Sequence, residues 1–145
     1  MAPTKASILL ADDDPAILLT LAMAFKAAGH AVTQASDGTK AIEALGQGTY
    51  DLMVLDILMP GATGWEVLEA AIARTVPGSP MPRALLITGF NSEYVVDMSA
   101  LRREGVAGML LKPFPAADIL DEVQRVLALP LQKAPALKPQ GSVRY

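Results

Sequence analysis

Short apolar runs alternate with longer amphipathic segments along the chain, and this alternation predicts five β-α units. The apolar runs, which we predict to be strands, cover residues 8–11, 31–35, 52–55, 84–87 and 108–111. The amphipathic segments, which we predict to be helices, cover residues 15–28, 39–45, 64–74, 93–103 and 116–127. Because the first, third and fourth runs are continuously apolar, they should be central strands of a parallel sheet with helices on both faces.

The length of the chain, 145 residues, is that of one domain. The regular pattern continues to residue 128, so we predict a single domain over residues 1–128. Residues 129–145 contain prolines at positions 130, 135 and 139, which cannot continue a helix or a central strand. This segment is predicted to be a tail or a truncated linker, and both a natural end and a connector to an output domain fit it.

Composition and charge exclude several classes of function. A formal net charge of -3 without a run of Lys or Arg argues against nucleic-acid binding, which needs a basic surface. No cysteine is present, which excludes disulfides and thiolate metal sites. We interpret the single histidine, His30, as a surface residue of a turn. No apolar stretch is long enough to cross a bilayer and no secretory signal is present, so we expect a cytoplasmic protein without membrane contact.

Polar residues follow four of the predicted strands at their carboxyl ends. They are Asp12, Asp13 and Asp14 after the first strand, Asp56 after the third, Thr88 after the fourth and Lys112 after the last. In open α/β sheets, ligands bind in the crevice at this edge. Clustered carboxylates repel one another unless a cation neutralises them. Because the set offers oxygen ligands and no His or Cys, it favours magnesium, calcium or manganese.

One carboxylate of such a cluster can react. Magnesium usually takes one or two carboxylates together with waters and phosphoryl oxygens, which leaves another carboxylate free. An aspartate oxygen can attack an activated phosphoryl group and form an acyl phosphate. The charge on the phosphoryl oxygens then needs a fixed ammonium and a hydroxyl donor, and Lys112 and Thr88 supply them.

The order of these residues resembles the receiver domain of two-component response regulators over residues 7 to 127. The matching motifs are Asp12-Asp13, Asp56-Ile57-Leu58-Met59-Pro60-Gly61 with Gly64, Thr88, and Lys112-Pro113-Phe114. The resemblance implies an α/β fold with a doubly wound five-stranded parallel sheet, the (βα)5 flavodoxin-like or CheY-like arrangement with strand order 2-1-3-4-5. It also implies a phosphoacceptor of a two-component or phosphorelay system, not an enzyme.

The resemblance assigns a role to each site residue. Asp56 is the phosphoacceptor, and Mg²⁺ is held by the carboxylates of Asp13 and Asp56, by the backbone carbonyl of Leu58, and by Asp12 through bound water. Thr88 donates a hydrogen bond to a phosphoryl oxygen and Lys112 pairs with it. The Lys112–Pro113 peptide is commonly cis in this family, which makes Pro113 a structural residue. We interpret Asp14 as a helix cap and not a metal ligand.

Three positions depart from the family pattern. The switch that follows Thr88 usually uses a Tyr or Phe three residues before the lysine, and this chain has Met109 there. Methionine is flexible and can still move, but it has neither a hydroxyl group nor a rigid ring. Gly89 replaces a common alanine, and Thr63 replaces a common aspartate. We therefore expect the phosphorylation chemistry to be intact and the switch to be weaker.

The expected partners are a sensor histidine kinase or a histidine phosphotransfer protein, and a downstream protein target. In the first helix, Ile17, Leu21, Ala24 and Phe25 share one face at helical spacing, so we predict that face to be core. Leu18, Leu19 and Met23 then lie off it. We predict a docking surface, on an otherwise monomeric or weakly dimeric protein, made by Ile17, Leu18, Leu19, Pro113 and Phe114.

Several alternatives are open at this stage. An Asp-nucleophile phosphohydrolase commonly carries a second aspartate two residues after the nucleophile, and this chain has Leu58 there. A flavin or nucleotide binder would need a glycine-rich loop after the first strand, where three aspartates stand instead. We expect a stand-alone, single-domain response regulator. The remaining alternatives are a receiver-like adaptor that binds partners without phosphorylation, and the N-terminal part of a longer regulator with an output domain.

Overall fold

The computed structural model describes residues 5–89, 105–131 and 133–134. Five parallel strands form one sheet, and they are β1 (Ser7–Ala11), β2 (Ala31–Ala35), β3 (Leu52–Asp56), β4 (Arg83–Gly89) and β5 (Val106–Lys112). Their order in the sheet is β2-β1-β3-β4-β5, which confirms the predicted fold class and strand order. β1, β3 and β4 are the central strands, as their continuous apolar sequences predicted.

Four helices lie in the described part of the chain, namely α1 (Pro15–Ala27), α2 (Gly38–Leu45), α3 (Gly64–Arg74) and α4 (Ala116–Leu127). Each agrees with a predicted helix to within one residue at either end. The predicted helix over residues 93–103 lies outside the described residues. Among the residues described, none of the helices combines the length and the apolar character that a membrane span requires.

Two apolar layers enclose the sheet, because alternate side chains of a strand point to opposite faces. On one face, Leu9, Leu55 and Leu86 pack with residues of α2 and α3. On the other face, Leu10 and Leu85 pack with residues of α1 and α4. All five of these leucines are fully buried, and each contributes about 1.5–3 kcal/mol to stability relative to an exposed side chain. This double layer makes the central strands a rigid support for the groups at their ends.

Three of the four described helices, α1, α2 and α3, begin at side chains that cap them. Asp14 accepts hydrogen bonds from the backbone N–H groups of Ala16 and Ile17, which confirms its predicted role as the cap of α1. At the start of α3, Thr63 accepts from the N–H of Glu66 while the Glu66 carboxylate accepts from the N–H of Thr63. Thr63 therefore supplies a complete capping box where the family commonly has aspartate.

The buried face of α1 differs from the predicted one. Its buried residues are Leu18, Leu21, Ala22 and Phe25, whereas Ile17 and Ala24 are only half-buried. The prediction placed Leu18 off the core, and this was wrong because the helix presents a stripe rotated by one residue toward the sheet. The spacing 18, 21, 22 and 25 satisfies the helical period as well as the predicted set does.

The interpretation of His30 as a surface residue was also wrong. Its side chain is buried, and Nδ1 accepts a hydrogen bond from the backbone N–H of Ala6 at 3.1 Å. This bond requires an unprotonated Nδ1, and burial lowers the pKa of His30 below its ordinary value. His30 therefore acts as a neutral hydrogen-bond acceptor at the start of the sheet.

The chain after α4 packs against the loop that precedes β4. Gly78 donates its N–H to the carbonyl of Ala134 (3.0 Å), and Ala134 donates to the carbonyl of Ser79 (2.8 Å). Pro80 and Lys133 form an isolated antiparallel bridge beside them. We call residues 129–131 and 133–134 the C-terminal strap. The predicted tail thus begins as a segment bound to the domain, at the amino-terminal end of the sheet.

Candidate functional site

The carboxyl ends of β1, β3 and β5 bring together three charged residues that are far apart in the sequence. Asp12 follows β1, Asp56 ends β3 and Lys112 ends β5. β1 and β3 are hydrogen-bonded neighbours in the sheet, and β4 separates β3 from β5. The long Lys112 side chain reaches past the end of β4 to both carboxylates, 2.7 Å from Asp12 Oδ2 and 3.1 Å from Asp56 Oδ2.

Three carboxylates form a compact cluster at this edge. One oxygen from each of Asp12, Asp13 and Asp56 can be chosen so that all three lie within 4.8 Å of one another. Asp12 is fully buried and Asp56 is 6% exposed, while Asp13 faces solvent. Such an all-oxygen set with one open side fits a hard divalent cation that keeps several waters, as Mg²⁺ does. The predicted cluster is therefore present in the structure.

The electrostatics of the cluster are unbalanced. Burial, reinforced by the charge of Asp12, raises the pKa of Asp56 from 3.8 to about 6, although Lys112 and the N–H of Leu58 act in the opposite direction. For Lys112, burial lowers the pKa, but its hydrogen bonds and ion pairs with the two carboxylates outweigh burial and raise it. One ammonium group thus neutralises the charge of two buried carboxylates only in part. The remaining negative charge would favour the binding of a second cation.

Thr88 lies beside the cluster on the neighbouring strand. Asp56 pairs in register with Ile87, so Thr88 stands one residue further along β4. The Thr88 side chain is 1% exposed, and among the described residues its hydroxyl oxygen has no hydrogen-bond partner. A buried hydroxyl without a partner is uncommon in folded proteins. It is therefore available to an acceptor that enters the crevice.

Met109 lies on the same face of the sheet as Thr88. It pairs in register with Leu86, two residues before Thr88, and its half-buried side chain packs against the layer of α2 and α3. This places it in a diagonal position to Thr88, where a family member would have an aromatic ring. The role of the two residues as a switch stays a prediction.

The loop after β3 is held by close backbone contacts. A Cβ atom on Gly64 would lie 2.5 Å from the carbonyl oxygen of Asp56, so only glycine lets α3 begin this close to the strand end. The N–H of Gly38, at the start of α2, donates to the carbonyl of Pro60, and a Cβ on Gly38 would collide with the backbone of Ala62. This contact was not predicted, although Asp37-Gly38 is a turn signal in the sequence.

The family model of the response regulator receiver domain matches residues 8–124 of the chain. The chain belongs to this family. The match includes every residue of the acidic cluster, together with Thr88, Lys112 and Pro113. The Lys112–Pro113 peptide is cis, which confirms the expectation from the resemblance.

Two curated relatives illustrate the sizes of proteins that contain such a receiver domain. The "Transcriptional regulatory protein TcrA" of Mycobacterium tuberculosis is 33% identical over 132 residues, which are 91% of this chain and 48% of TcrA. The "Response regulator receiver protein CpdR" of Brucella abortus is 32% identical over 120 residues, which are 83% of this chain and 95% of CpdR. The chain thus spans about half the length of the first relative and nearly all of the second.

Solved structures of other proteins share this fold. NtrX from Brucella abortus has a TM-score of 0.72 and 26% sequence identity, with 86% of this chain and 27% of NtrX covered. A response regulator receiver domain protein (CheY-like) from Methanospirillum hungatei has a TM-score of 0.70 and 24% sequence identity. The match covers 86% of this chain and 94% of the M. hungatei chain. The second likeness shows the fold alone.

The predicted docking surface of the receiver needs one correction. A cavity of about 270 Å³ lies between α1 and the start of α4, and its lining includes Ile17, Pro113 and Phe114. Leu18 faces the core and is only 9% exposed, so it cannot contact a partner. Leu19 is 58% exposed but does not line the cavity. The structure therefore brings together three of the five predicted residues.

Proposed function

We propose that this receiver domain accepts a phosphoryl group on Asp56 from a sensor histidine kinase or a histidine phosphotransfer protein. The observation that carries the proposal is the position of the Asp56 carboxylate, 6% exposed and 3.1 Å from the Lys112 ammonium within a cluster of three carboxylates. A carboxylate held this way offers an oxygen for attack and has a cation beside it that can neutralise the charge of the incoming phosphoryl group.

The residues of the cluster fit Mg²⁺. Asp13 and Asp56 would supply carboxylate oxygens, Leu58 its backbone carbonyl, and Asp12 a contact through water. The bound ion would neutralise charge on the phosphoryl oxygens. Asp13 suits this role because it is exposed and can admit waters, whereas Asp12 is fully buried and already paired with Lys112.

The transfer itself uses groups of this chain. A carboxylate oxygen of Asp56 forms a bond to phosphorus as the phosphorus–nitrogen bond of the phosphohistidine donor breaks, and the imidazole leaves with the bonding electron pair. The Lys112 ammonium, held by Asp12 at 2.7 Å, stays close to the phosphoryl oxygens. The Thr88 hydroxyl, which has no hydrogen-bond partner within the described part of the chain, donates a hydrogen bond to one of these oxygens.

We further propose that the phosphoaspartate persists and that the protein is not a phosphohydrolase. Rapid hydrolysis would need a general acid or base placed beside the acyl phosphate. Two residues after Asp56 the chain has Leu58, an exposed apolar side chain that cannot transfer protons. A phosphoaspartate that hydrolyses slowly is suited to signalling, because the modified protein lasts long enough to bind a target.

The signal would pass from Thr88 to Met109. When the Thr88 hydroxyl turns toward a phosphoryl oxygen, it vacates space on the face that Met109 shares. A methionine fills irregular space by rotamer changes and displaces less surface than a ring would. We therefore propose a modest switch, at the lower end of the usual coupling range of about 1–3 kcal/mol.

The cavity lined by Ile17, Pro113 and Phe114 is the surface we propose for the phosphoryl donor. It adjoins Lys112, which also lines it, so a protein that docks there lies next to the reactive carboxylate. The two relatives differ in length relative to this chain. A donor-binding cavity at this place is compatible with a receiver protein and with the receiver part of a longer transcriptional regulator.

The experiment is labelling by acetyl phosphate in the presence of Mg²⁺, followed by intact-mass measurement. Wild-type protein should gain the mass of one phosphoryl group, and Asp56→Asn should gain none. Asp14→Asn is the matched control, because asparagine caps a helix as well as aspartate does and Asp14 lies outside the cluster. Equal labelling of wild type and Asp56→Asn would refute the assignment.

A further inference from the structure

A second cavity lies at the opposite end of the sheet from Asp56. Its volume is about 460 Å³, which is within the range of small-molecule sites. The first residues of β4 and β5 form its floor, and the C-terminal strap forms one wall through Leu129, Pro130 and Leu131. Other apolar lining residues are Met81 and Val106. The cavity is therefore mainly apolar, and the C-terminal strap forms part of its lining.

Two arginines line this cavity, and their surroundings differ. Arg125 makes two hydrogen bonds with the carboxylate of Glu122 (3.0 and 2.9 Å) and a third with the carbonyl of Ala107 (2.9 Å). Its charge is thus compensated. Gly108 leaves the space for this arrangement, since a Cβ there would lie 2.7 Å from the Arg125 guanidinium.

Arg83 has no such compensation. Its Nη2 donates to the carbonyl of Leu129 at 2.8 Å, which ties the C-terminal strap to the start of β4. Its Nε is buried and has no hydrogen-bond partner among the residues that the structure describes. Within the same residues, no carboxylate lies within ion-pair distance of Arg83. The described residues thus leave the half-buried Arg83 guanidinium with one unpartnered N–H group and no counter-charge beside apolar walls, and an anion in the cavity would compensate it.

We propose that this cavity binds a small amphipathic carboxylate, with the carboxylate on Arg83 and the apolar body between β4, β5 and the C-terminal strap. The charge of the donor favours a carboxylate, because a hydrogen bond from a guanidinium to an ionised oxygen is stronger than one between neutral groups. The apolar walls favour a hydrocarbon body over a polar one. One uncompensated cation suits a singly charged ligand better than a phosphate, which would need further donors.

The test uses octanoate and its uncharged counterpart octanamide as probes of the whole chain. Backbone amide shifts in two-dimensional NMR spectra would give the dissociation constants, with the shifted residues expected at 81–83, 105–107 and 129–131. Wild-type protein should bind octanoate roughly tenfold more tightly than octanamide, the contribution expected of a hydrogen-bonded charge pair. Arg83→Gln should remove this preference, whereas Arg74→Gln, an exposed arginine outside the cavity, should keep it.

A second variant keeps the proposal testable if Arg83→Gln does not fold. Ala107 lines the cavity with a half-buried side chain, and Ala107→Met adds volume there while the Arg83 guanidinium stays in place. This variant should weaken octanoate binding by about tenfold if the apolar body lies in the cavity. Equal affinity for the two probes in wild type, unchanged octanoate binding in both variants, or shifts confined to other residues would overturn the proposal.

Discussion

The unbalanced charge at the acidic cluster predicts that Asp56→Asn stabilises the domain in the absence of Mg²⁺. The pKa of Asp56 is raised from 3.8 to about 6, so the folded state favours the neutral form of this side chain. One pKa unit corresponds to about 1.4 kcal/mol, and the displacement therefore amounts to about 3 kcal/mol at pH values above both pKa values. Asparagine is neutral and nearly isosteric, so the substitution should add about 2–3 kcal/mol to the free energy of unfolding at pH 7.5.

The pH dependence of this difference has a definite sign. Because the folded pKa lies above the unfolded value, Asp56 lowers the stability of wild type as the pH rises from about 3.8 through about 6. Asparagine does not titrate. The difference between the two proteins should therefore be largest above pH 6 and should disappear near pH 4, while contributions from other groups cancel.

Urea denaturation with a metal chelator at pH 4, 5, 6 and 7.5 measures this difference. Asp14→Asn serves as the control and should match wild type at each pH, because Asp14 is an exposed cap outside the cluster. Added Mg²⁺ should then stabilise wild type more than Asp56→Asn, since an ion that binds only the folded state shifts the equilibrium by mass action. A variant no more stable than wild type at pH 7.5, or a difference independent of pH, would refute the reasoning.

Three further predictions concern single residues. Asp13→Ala should weaken Mg²⁺ binding, measured by the fluorescence of the single tryptophan. Asp14→Ala should leave Mg²⁺ binding unchanged and lower the free energy of unfolding by about 1 kcal/mol through loss of a helix cap; the reverse result would exchange the two roles. NMR titration of His30 should give a pKa below 6.5, so its contribution to stability is present above pH 6.5 and lost as the pH falls; a higher pKa would contradict its buried acceptor role. Gly38→Ala should lower the free energy of unfolding by about 1–3 kcal/mol, because its Cβ would collide with the loop after β3. Gly89→Ala, whose Cβ meets none of the described residues within 4 Å, should change it little, and equal effects would contradict the contact.

Much of the fold followed from local patterns. The strands around Leu10, Val54 and Leu86 are continuously apolar because both faces of a central parallel strand are covered, and this property is visible in the sequence. Asp14 and Pro15 likewise form a local signal, since a cap acts within its own first turn. Patterns of this kind depend only on neighbours along the chain.

Features that depend on the orientation of packed elements were not predictable in this way. The face of α1 that contains Leu18 is selected by how the helix settles on the sheet, and two overlapping apolar stripes satisfy the helical period equally well. His30 is buried because the chain before β1 supplies the Ala6 N–H, a contact between residues 24 positions apart. The docking of the strap around Ala134 rests on backbone bonds, which leave no trace in side-chain composition.

The site was predictable because its chemistry constrains residue type more tightly than packing does. A leucine in the core can be exchanged for another apolar residue of similar size, but the chemistry we propose for the strand ends needs a carboxylate at position 56, a hydroxyl at 88 and an ammonium at 112. In the structure the described residues compensate two of these groups incompletely: the pKa of Asp56 is raised, and the Thr88 hydroxyl has no hydrogen-bond partner among those residues. A bound cation would compensate the first and a phosphoryl oxygen the second. The incompletely compensated groups therefore lie at the site where the proposed metal binding and phosphorylation would compensate them. The gain in the free energy of unfolding on Asp56→Asn would measure the electrostatic cost at Asp56 directly.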